Sequence, residues 1–477
     1  MIKFGTGGFR GIIGDDFNKH NVQLIAQALA EIIKKRKSNK PVVIGYDNRF
    51  MSDFAARWFA ETLVANNVRV YLYTGSVPTP SVMSATRDLN HDFGIMITAS
   101  HNPYYFNGVK VFTREGYDAD VEFTNTIEEQ IREIKEIKTM DYYEAKRRWL
   151  ITDYADTSLY LGHIKSLVSY KIKDNNLKLL YNNMNGVGVV GLGPLAKDLN
   201  IKKFDIIEDD HDAFFSFKLP NPTEEALIPD FANQVVEGGY DAGFATDSDG
   251  DRLGIIDEKG KYVSNNEILA CLYYYLITKR GETGDIVINC ATSKLIDIIA
   301  EKLGYKCHEV DVGFKNITSK MTETNALLGG ESSGGLTMRG YIYGKDAVFS
   351  SALVMEMMIL ENKPISEIVE SVKNYANFHH AFLEDFIPLN RDVQDVVREI
   401  ENDLPTFDLE IIKYERYGRN FKFTFPNNSW VLIRLSGTEP AFRIFVEIEK
   451  EEDGHKLLAD LKQYVDNIQG RIKKYVE

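Results

Sequence analysis

The feature that most constrains the fold is a pattern that starts, stops and restarts. Short apolar runs with strand character alternate with longer amphipathic runs of helical period. Residues 41–46, 68–73 and 93–98 predict strands, and residues 22–35 and 53–66 predict the helices between them. Strands that reach their neighbours only through a helix pair in parallel, giving a sheet covered by helices. The charged stretch 122–148 predicts a long surface helix leading to a boundary near 150–155. The pattern restarts with a strand at 177–181, a helix at 187–199 and a strand at 241–246. It restarts again with strands at 286–289 and 307–310 and helices at 293–303 and 345–359.

After about residue 375 the alternation changes. Residues 409–414, 421–425, 430–435 and 443–447 predict antiparallel strands, and a last helix covers 454–473. The expected fold is α/β: three consecutive mixed α/β domains with helix-covered sheets, then a smaller C-terminal α+β domain. The boundaries expected are 1–152, 153–256, 257–375 and 376–477. At 477 residues the chain exceeds one hydrophobic core, which fits that division.

A net charge of −14 argues against a nucleic-acid-binding surface, although local basic loops can still bind a small anion. The first residues show no apolar signal region, and no apolar run reaches the length of a membrane span. Cys271, Cys290 and Cys307 lack metal or redox spacing and read as reduced core thiols. The expectation is a cytoplasmic protein with no membrane partner, as a monomer or homodimer.

Chemistry concentrates at loops that follow the apolar runs. In Thr98-Ala99-Ser100-His101-Asn102-Pro103 a strand delivers a hydroxyl to a polar turn with an imidazole beside it. That serine is a candidate nucleophile, or simply part of a strand-to-loop turn. In Asp247-Ser248-Asp249-Gly250-Asp251-Arg252 three carboxylates alternate around a glycine. Such a cluster needs a cation, and hard oxygen ligands suit Mg²⁺. An EF-hand would need glycine at the sixth position, where Arg252 stands.

Arg434-Leu435-Ser436-Gly437-Thr438-Glu439-Pro440, followed by Arg443, combines two guanidinium groups, two hydroxyls and an open backbone, which suits an oxyanion. In Gly329-Gly330-Glu331-Ser332-Ser333-Gly334-Gly335 the carboxylate and hydroxyls suit sugar hydroxyls, though a flexible polar loop looks alike. Arg10 lies in a glycine-rich N-terminal stretch that is not a dinucleotide fingerprint, Lys110 lies on a short strand after Ser100, and Lys345 follows the sugar-type loop. His379-His380 reads as structural.

These loops, in this order, resemble the α-D-phosphohexomutase family over nearly the whole chain. Gly45-Tyr46-Asp47-Asn48-Arg49, Pro78-Thr79-Pro80 and Val312-Gly313-Phe314-Lys315 are lesser matches. The resemblance implies a heart-shaped arrangement around a central cleft, with a phosphoserine domain I, a metal-binding domain II, a sugar-binding domain III and a phosphate-binding domain IV. It implies phosphate carried on Ser100, and Mg²⁺ held by Asp247, Asp249, Asp251 and that phosphate. Glucose 1,6-bisphosphate would be the activator and a hexose phosphate the substrate.

The same resemblance gives Arg10, His101, Lys110 and Lys345 catalytic roles. Lys110 would act as a base if nearby cations lowered its pKa. It makes Arg252, Lys315, Glu331, Ser333, Arg434, Ser436, Gly437, Thr438 and Arg443 substrate-binding. Many members have a histidine at the end of the sugar loop, where this chain has Gly335, and phosphoglucosamine mutases usually carry a glutamine there as well. The expected activity is therefore that of a phosphoglucomutase, acting also on mannose phosphates. The alternatives are a phosphoglucosamine mutase, a sugar-phosphate-binding paralogue without catalysis, or a phosphatase using the same serine.

Overall fold

Local signals set many of the element ends. Asn18 caps the helix Lys19–Lys35 by accepting from Asn21 N at 2.9 Å. Ser264 and Glu267 form a reciprocal capping box at the start of Asn265–Thr278. The computed structural model of the chain describes residues 2–5, 8–168, 175–389, 391–435 and 441–472. Thr6 and Gly7 of the glycine-rich N-terminal stretch, and Ser436, Gly437 and Thr438 of the arginine loop, lie outside the described residues.

Three α/β domains with mixed sheets precede a fourth, sheet-rich C-terminal domain. By contact density the chain divides into two compact units, residues 1–282 with 327–369 and residues 283–326 with 370–477.

The first unit contains two large sheets. One has seven strands in the order Phe4–Gly5, Gly8–Ile12, Phe106–Thr113, Phe93–Ile97, Val42–Tyr46, Val70–Tyr73 and Ile151–Tyr154. The first four strands pair antiparallel and the last four parallel. Phe93–Ile97 is buried at every position, as expected of a central strand covered on both faces. The other sheet has five strands, Tyr262–Val263, Leu253–Asp257, Ala242–Thr246, Lys178–Asn182 and Lys203–Ile207. The acidic loop is the tip of the hairpin between Ala242–Thr246 and Leu253–Asp257, closed by the pair Thr246 and Leu253. The sugar-type loop is likewise a hairpin tip, between the antiparallel strands Leu328–Gly330 and Leu336–Met338.

In the second unit Ile286–Asn289 and Cys307–Val310 pair in parallel. A five-stranded antiparallel sheet follows, ordered Ala381–Pro388, Ala441–Ile448, Trp430–Leu435, Asn420–Thr424 and Lys413–Tyr417. Glu447 of this sheet is buried. Its carboxylate accepts from Lys294 N at 2.7 Å, from Trp430 Nε1 at 2.6 Å and from Ser293 Oγ. It thereby fastens the start of helix Lys294–Lys302 to the sheet.

Several expectations need correction. The helix expected over 122–148 is two, Val121–Glu133 and Tyr142–Arg147. Between them Ile134, Ile137 and Met140 are half-buried at every third position, a spacing that suits extended chain with three residues per turn. Backbone bonds from Lys138 N to Gln27 Oε1 and from Met140 N to Glu61 O pin this segment to the neighbouring helices. Lys345 is not helical. Asp346 is the N-cap of Ala347–Glu361, accepting from Val348 N and Phe349 N, so Lys345 stands in the preceding loop. The strand expected at 409–414 is Lys413–Tyr417. Among the described residues no helix is long and apolar enough to cross a membrane.

Candidate active site around Ser100

Ser100 follows the buried strand Phe93–Ile97 and is itself buried, with φ of 50° in the left-handed region. Its Oγ donates to Asp247 Oδ2 at 2.9 Å and lies 3.3 Å from His101 Nδ1. Its N donates to Thr98 Oγ1 at 2.8 Å, and Thr98 Oγ1 donates to Asp47 Oδ2 at 2.6 Å. The serine is therefore held through both its side chain and its backbone.

The acidic hairpin meets this serine from its own sheet. Gly250 at φ 69° lets the tip turn, and one carboxylate oxygen from each of Asp247, Asp249 and Asp251 lies within 4.8 Å of the others. Asp247 Oδ1 accepts from the backbone N of Asp251 and Arg252 at 2.9 and 3.0 Å. Thr79 donates to Asp249 Oδ2 at 2.6 Å, and its backbone N donates to Asp249 O. Lys110 Nζ donates to Asp249 Oδ2 at 2.7 Å and Asp251 Oδ2 at 2.8 Å, and Lys345 Nζ lies 3.7 Å from Asp251 Oδ1.

Burial and crowding act differently on each group. Burial, then the negative charges of Asp251 and Asp249, lift Asp247 well above the usual carboxylate range. Asp251 is also buried, but Lys110, Lys345 and Arg252 outweigh that and hold it below its usual value. Burial works against the Lys110 ammonium, yet Asp249 and Asp251 override it and raise its pKa. Lys110 thus pairs with Asp249 and Asp251, the same carboxylates that would hold a cation, where the sequence suggests a base whose pKa nearby cations lower. Burial, reinforced by Arg252, Arg10 and Lys345, drives His101 well below the ordinary histidine value, so its imidazole is neutral.

The three carboxylates fit a hard divalent cation on a direct observation. Asp249 Oδ1 and Asp251 Oδ1 are buried acceptors with no hydrogen-bond donor.

The remaining expected residues are placed as follows. Arg10 donates to Asn102 Oδ1, on the turn after Ser100. Glu331 is buried at the hairpin tip and accepts from Ser333 Oγ at 2.7 Å. It lines a pocket with Leu253, Asn265, Leu269, Gly334 and Ser350. All of these belong to the first unit. Lys315, Arg434 and Arg443 belong to the second. Lys315 is in the first turn of helix Phe314–Thr324. Arg434 and Arg443 are direct cross-strand partners, and Arg443 Nη1 donates to Glu384 Oε1 at 3.0 Å.

Three family models match this chain: phosphoglucomutase/phosphomannomutase alpha/beta/alpha domain I over residues 1–138, domain II over 158–260 and domain III over 264–375. The chain belongs to the α-D-phosphohexomutase family. It is 28% identical to a phosphoglucomutase/phosphomannomutase of Thermococcus kodakarensis, with 95% of this chain and 96% of that protein covered. It is 28% identical to a phosphoglucosamine/phosphogalactosamine mutase of Sulfurisphaera tokodaii, at 97% and 99% coverage. It is 29% identical to a phosphoglucosamine mutase of Nautilia profundicola, also at 97% and 99%. The crystal structure of a candidate phosphomannomutase from Thermus thermophilus superposes with a TM-score of 0.84 at 25% identity, covering 98% of this chain and 99% of that one.

Nothing in the sequence assigns a role to Asp47, Arg49, Thr79 or Ser248. Asp47 and Arg49 lie in a polar turn straight after an apolar strand and are almost wholly buried. Charged residues placed directly at the end of a central strand were the available signal.

Proposed function

We propose that this phosphohexomutase moves a phosphoryl group between O1 and O6 of a hexose through a phosphate carried on Ser100. The observation that carries the proposal is Ser100 Oγ, buried and 2.9 Å from Asp247 in a cluster of three carboxylates. In the forward half-reaction the Ser100 Oγ–P bond breaks and a P–O bond forms to a free hydroxyl of the hexose monophosphate. The hydroxyl's proton leaves to a nearby base, and a 1,6-bisphosphate results. In the second half its other phosphoryl group returns to Ser100 Oγ, and the hexose oxygen regains a proton.

Asp247, Asp249 and Asp251 would hold the metal, which fits Mg²⁺. Bound there, Mg²⁺ would supply Lewis-acid stabilisation of phosphate charge. Arg10, which reaches from strand Gly8–Ile12 to Asn102 on the turn after Ser100, and Arg252, next to the acidic cluster, supply fixed positive charge, which phosphoryl transfer needs more than covalent novelty. His101, 3.3 Å from Ser100 Oγ, would take or return a proton there, with Lys110 and Lys345 beside Asp251 as the other groups able to move one. Glu331 and Ser333, joined by a hydrogen bond, present a carboxylate and a hydroxyl suited to sugar hydroxyls. For the second unit the proposal is that Arg434, Arg443 and Lys315 bind a phosphate oxyanion. Glucose 1,6-bisphosphate would serve as activator by phosphorylating Ser100.

Two of the three relatives named above act on amino-sugar phosphates, so glucosamine phosphate is the substrate we place first, ahead of the glucose expected from the sequence. Glucose or mannose phosphate is the second reading. It is favoured by Gly335 at the end of the sugar loop and by the Thermococcus relative. Assays on glucosamine, glucose and mannose 1-phosphates, each with its own 1,6-bisphosphate, rank the three by kcat/KM. The highest value with the amino sugar supports the first reading, and with glucose or mannose the second. Release of inorganic phosphate from all three without isomer formation contradicts mutase activity.

A further inference from the structure

Arg49 is buried at 3% exposure in the turn after strand Val42–Tyr46. Its guanidinium makes an unusual set of contacts, nearly all to backbone carbonyls of one short loop. Nη2 donates to the carbonyls of Ser100 and Asn102, the latter at 2.6 Å. Nη1 donates to the carbonyls of Pro103 and Phe106, at 2.9 and 3.1 Å. Ser248 Oγ, from the acidic hairpin, donates to the same Ser100 carbonyl at 2.6 Å and lies 3.4 Å from Arg49 Nη2.

Two further contacts fix the guanidinium plane. Asp47 Oδ2 lies 3.3 Å from Nε, and the buried ring of Phe215 faces Cζ at 4.9 Å. Asp47 Oδ2 also accepts from Thr98 Oγ1, which in turn accepts from Ser100 N. One Asp–Arg pair thus grips Ser100 from both of its peptide groups.

The carbonyls of Ser100 and Asn102 lie where the chain has left the sheet, between Ile97 and Phe106, while that of Pro103 also accepts from Phe106 N at 3.0 Å and Phe106 opens the returning strand. Ser100 also sits at positive φ, which an L-residue keeps only when its surroundings impose it. A planar fork can serve four carbonyls at once. An ammonium has three donors on one atom and cannot span them.

From this geometry we infer that Arg49 is a positioning residue for phosphoryl transfer, holding the Ser100 loop in its reactive conformation and in register with the acidic hairpin through Ser248. The Arg49 guanidinium donates to the backbone of the Ser100 loop and not to Ser100 Oγ. Its effect is on where Ser100 Oγ stands. The inference rests on the function proposed above, but its first test does not.

That test compares wild type with Arg49→Lys, which keeps the charge opposite Asp47 and loses the fork. Hydrogen exchange of the backbone amides in 99–106 is followed by mass spectrometry, with peptides of Phe93–Ile97 and of the second unit as controls. Faster exchange confined to the loop, with the controls unchanged, is expected. Unchanged loop exchange in a folded variant overturns the inference, as does acceleration spread evenly across the unit. If Arg49→Lys does not fold, Asp47→Asn removes the charge that orients the guanidinium and is judged by the same outcomes.

The second readout is kinetic and uses the best of the three sugar phosphates. Displacing a reacting atom by about 1 Å can cost about 100-fold, so kcat is expected to fall by about that factor with KM changed less than ~3-fold. A folded Arg49→Lys enzyme with wild-type kcat overturns the inference. If wild type isomerises none of the sugars, the proposed function fails, while the exchange result still decides the role of Arg49.

Discussion

Lys110 Nζ bridges Asp249 and Asp251, 2.7 Å from one carboxylate and 2.8 Å from the other, with all three side chains buried. The lysine comes from strand Phe106–Thr113 of the first sheet, and the carboxylates come from a hairpin tip of the second. A buried acidic cluster requires compensating charge, and here a lysine supplies part of it. Lys110→Met should therefore lower stability in a chelator by about 3–5 kcal/mol, the usual cost of stranding buried charge. Added Mg²⁺ should restore more stability to the variant than it gives wild type. Thermal melts with EDTA and with Mg²⁺ measure both effects, and equal melting of the two proteins in EDTA would count against this role.

Ser100→Ala should lose mutase activity by more than ~10³-fold, since removing a group that carries the reacting phosphate disables the whole cycle. Its melting temperature should stay close to that of wild type, because Thr98, Arg49 and Ser248 grip the backbone of residue 100 and not its side chain. Coupled assays and melts on the same preparation check the pair of outcomes.

Gly108 has no room for a side chain. An added Cβ would stand 2.2 Å from Phe9 O and 2.7 Å from Thr98 O, both backbone atoms. Gly108→Ala must push apart the strand bearing Lys110, the strand bearing Arg10 and the turn before Ser100. A loss of more than about 2 kcal/mol in denaturant unfolding is expected, together with a fall in kcat. Wild-type stability in this variant would show that the three segments are less tightly joined.

Asp346, the N-cap that follows Lys345, offers a pH test. Burial lifts it from 3.8 to about 6, against the pull of hydrogen bonds from Tyr341, Tyr160 and two helix amides. The folded state therefore favours the protonated acid. The stability this gives is full below the unfolded value near pH 4 and is lost as pH rises through about 6. The shift corresponds to roughly 3 kcal/mol. Asp346→Asn cannot titrate, so the difference in unfolding free energy between wild type and variant should change by about that amount between pH 3.5 and pH 7. A difference that stays flat over this range would contradict the assignment.

What was legible in the sequence was local. The acidic loop, the serine turn and the sugar-type loop could be read because small residues, carboxylates and hydroxyls follow apolar runs within a few positions. The strands 286–289 and 307–310 stood out for the same reason and are found at those bounds. The grip on Ser100 was not legible, because Asp47 and Arg49 act across some fifty residues and nothing near them in the chain shows what they touch. The strands Leu328–Gly330 and Leu336–Met338 are only three residues each, too short for alternation to register. The break at 134–141 was hidden because charged residues between isoleucines suit a helix surface as well as an extended chain, and only the bonds to Gln27 and Glu61 decide.

The central claim is that Ser100 carries the phosphate, and intact mass tests it most directly. The purified chain is measured before and after incubation with glucose 1,6-bisphosphate and Mg²⁺, with peptide mapping of the product. The account predicts at most one phosphate per chain, located on the peptide containing Ser100 and removed by excess hexose monophosphate. A mutase that turns over with no phosphate on that peptide, or with phosphate on another residue, would contradict it.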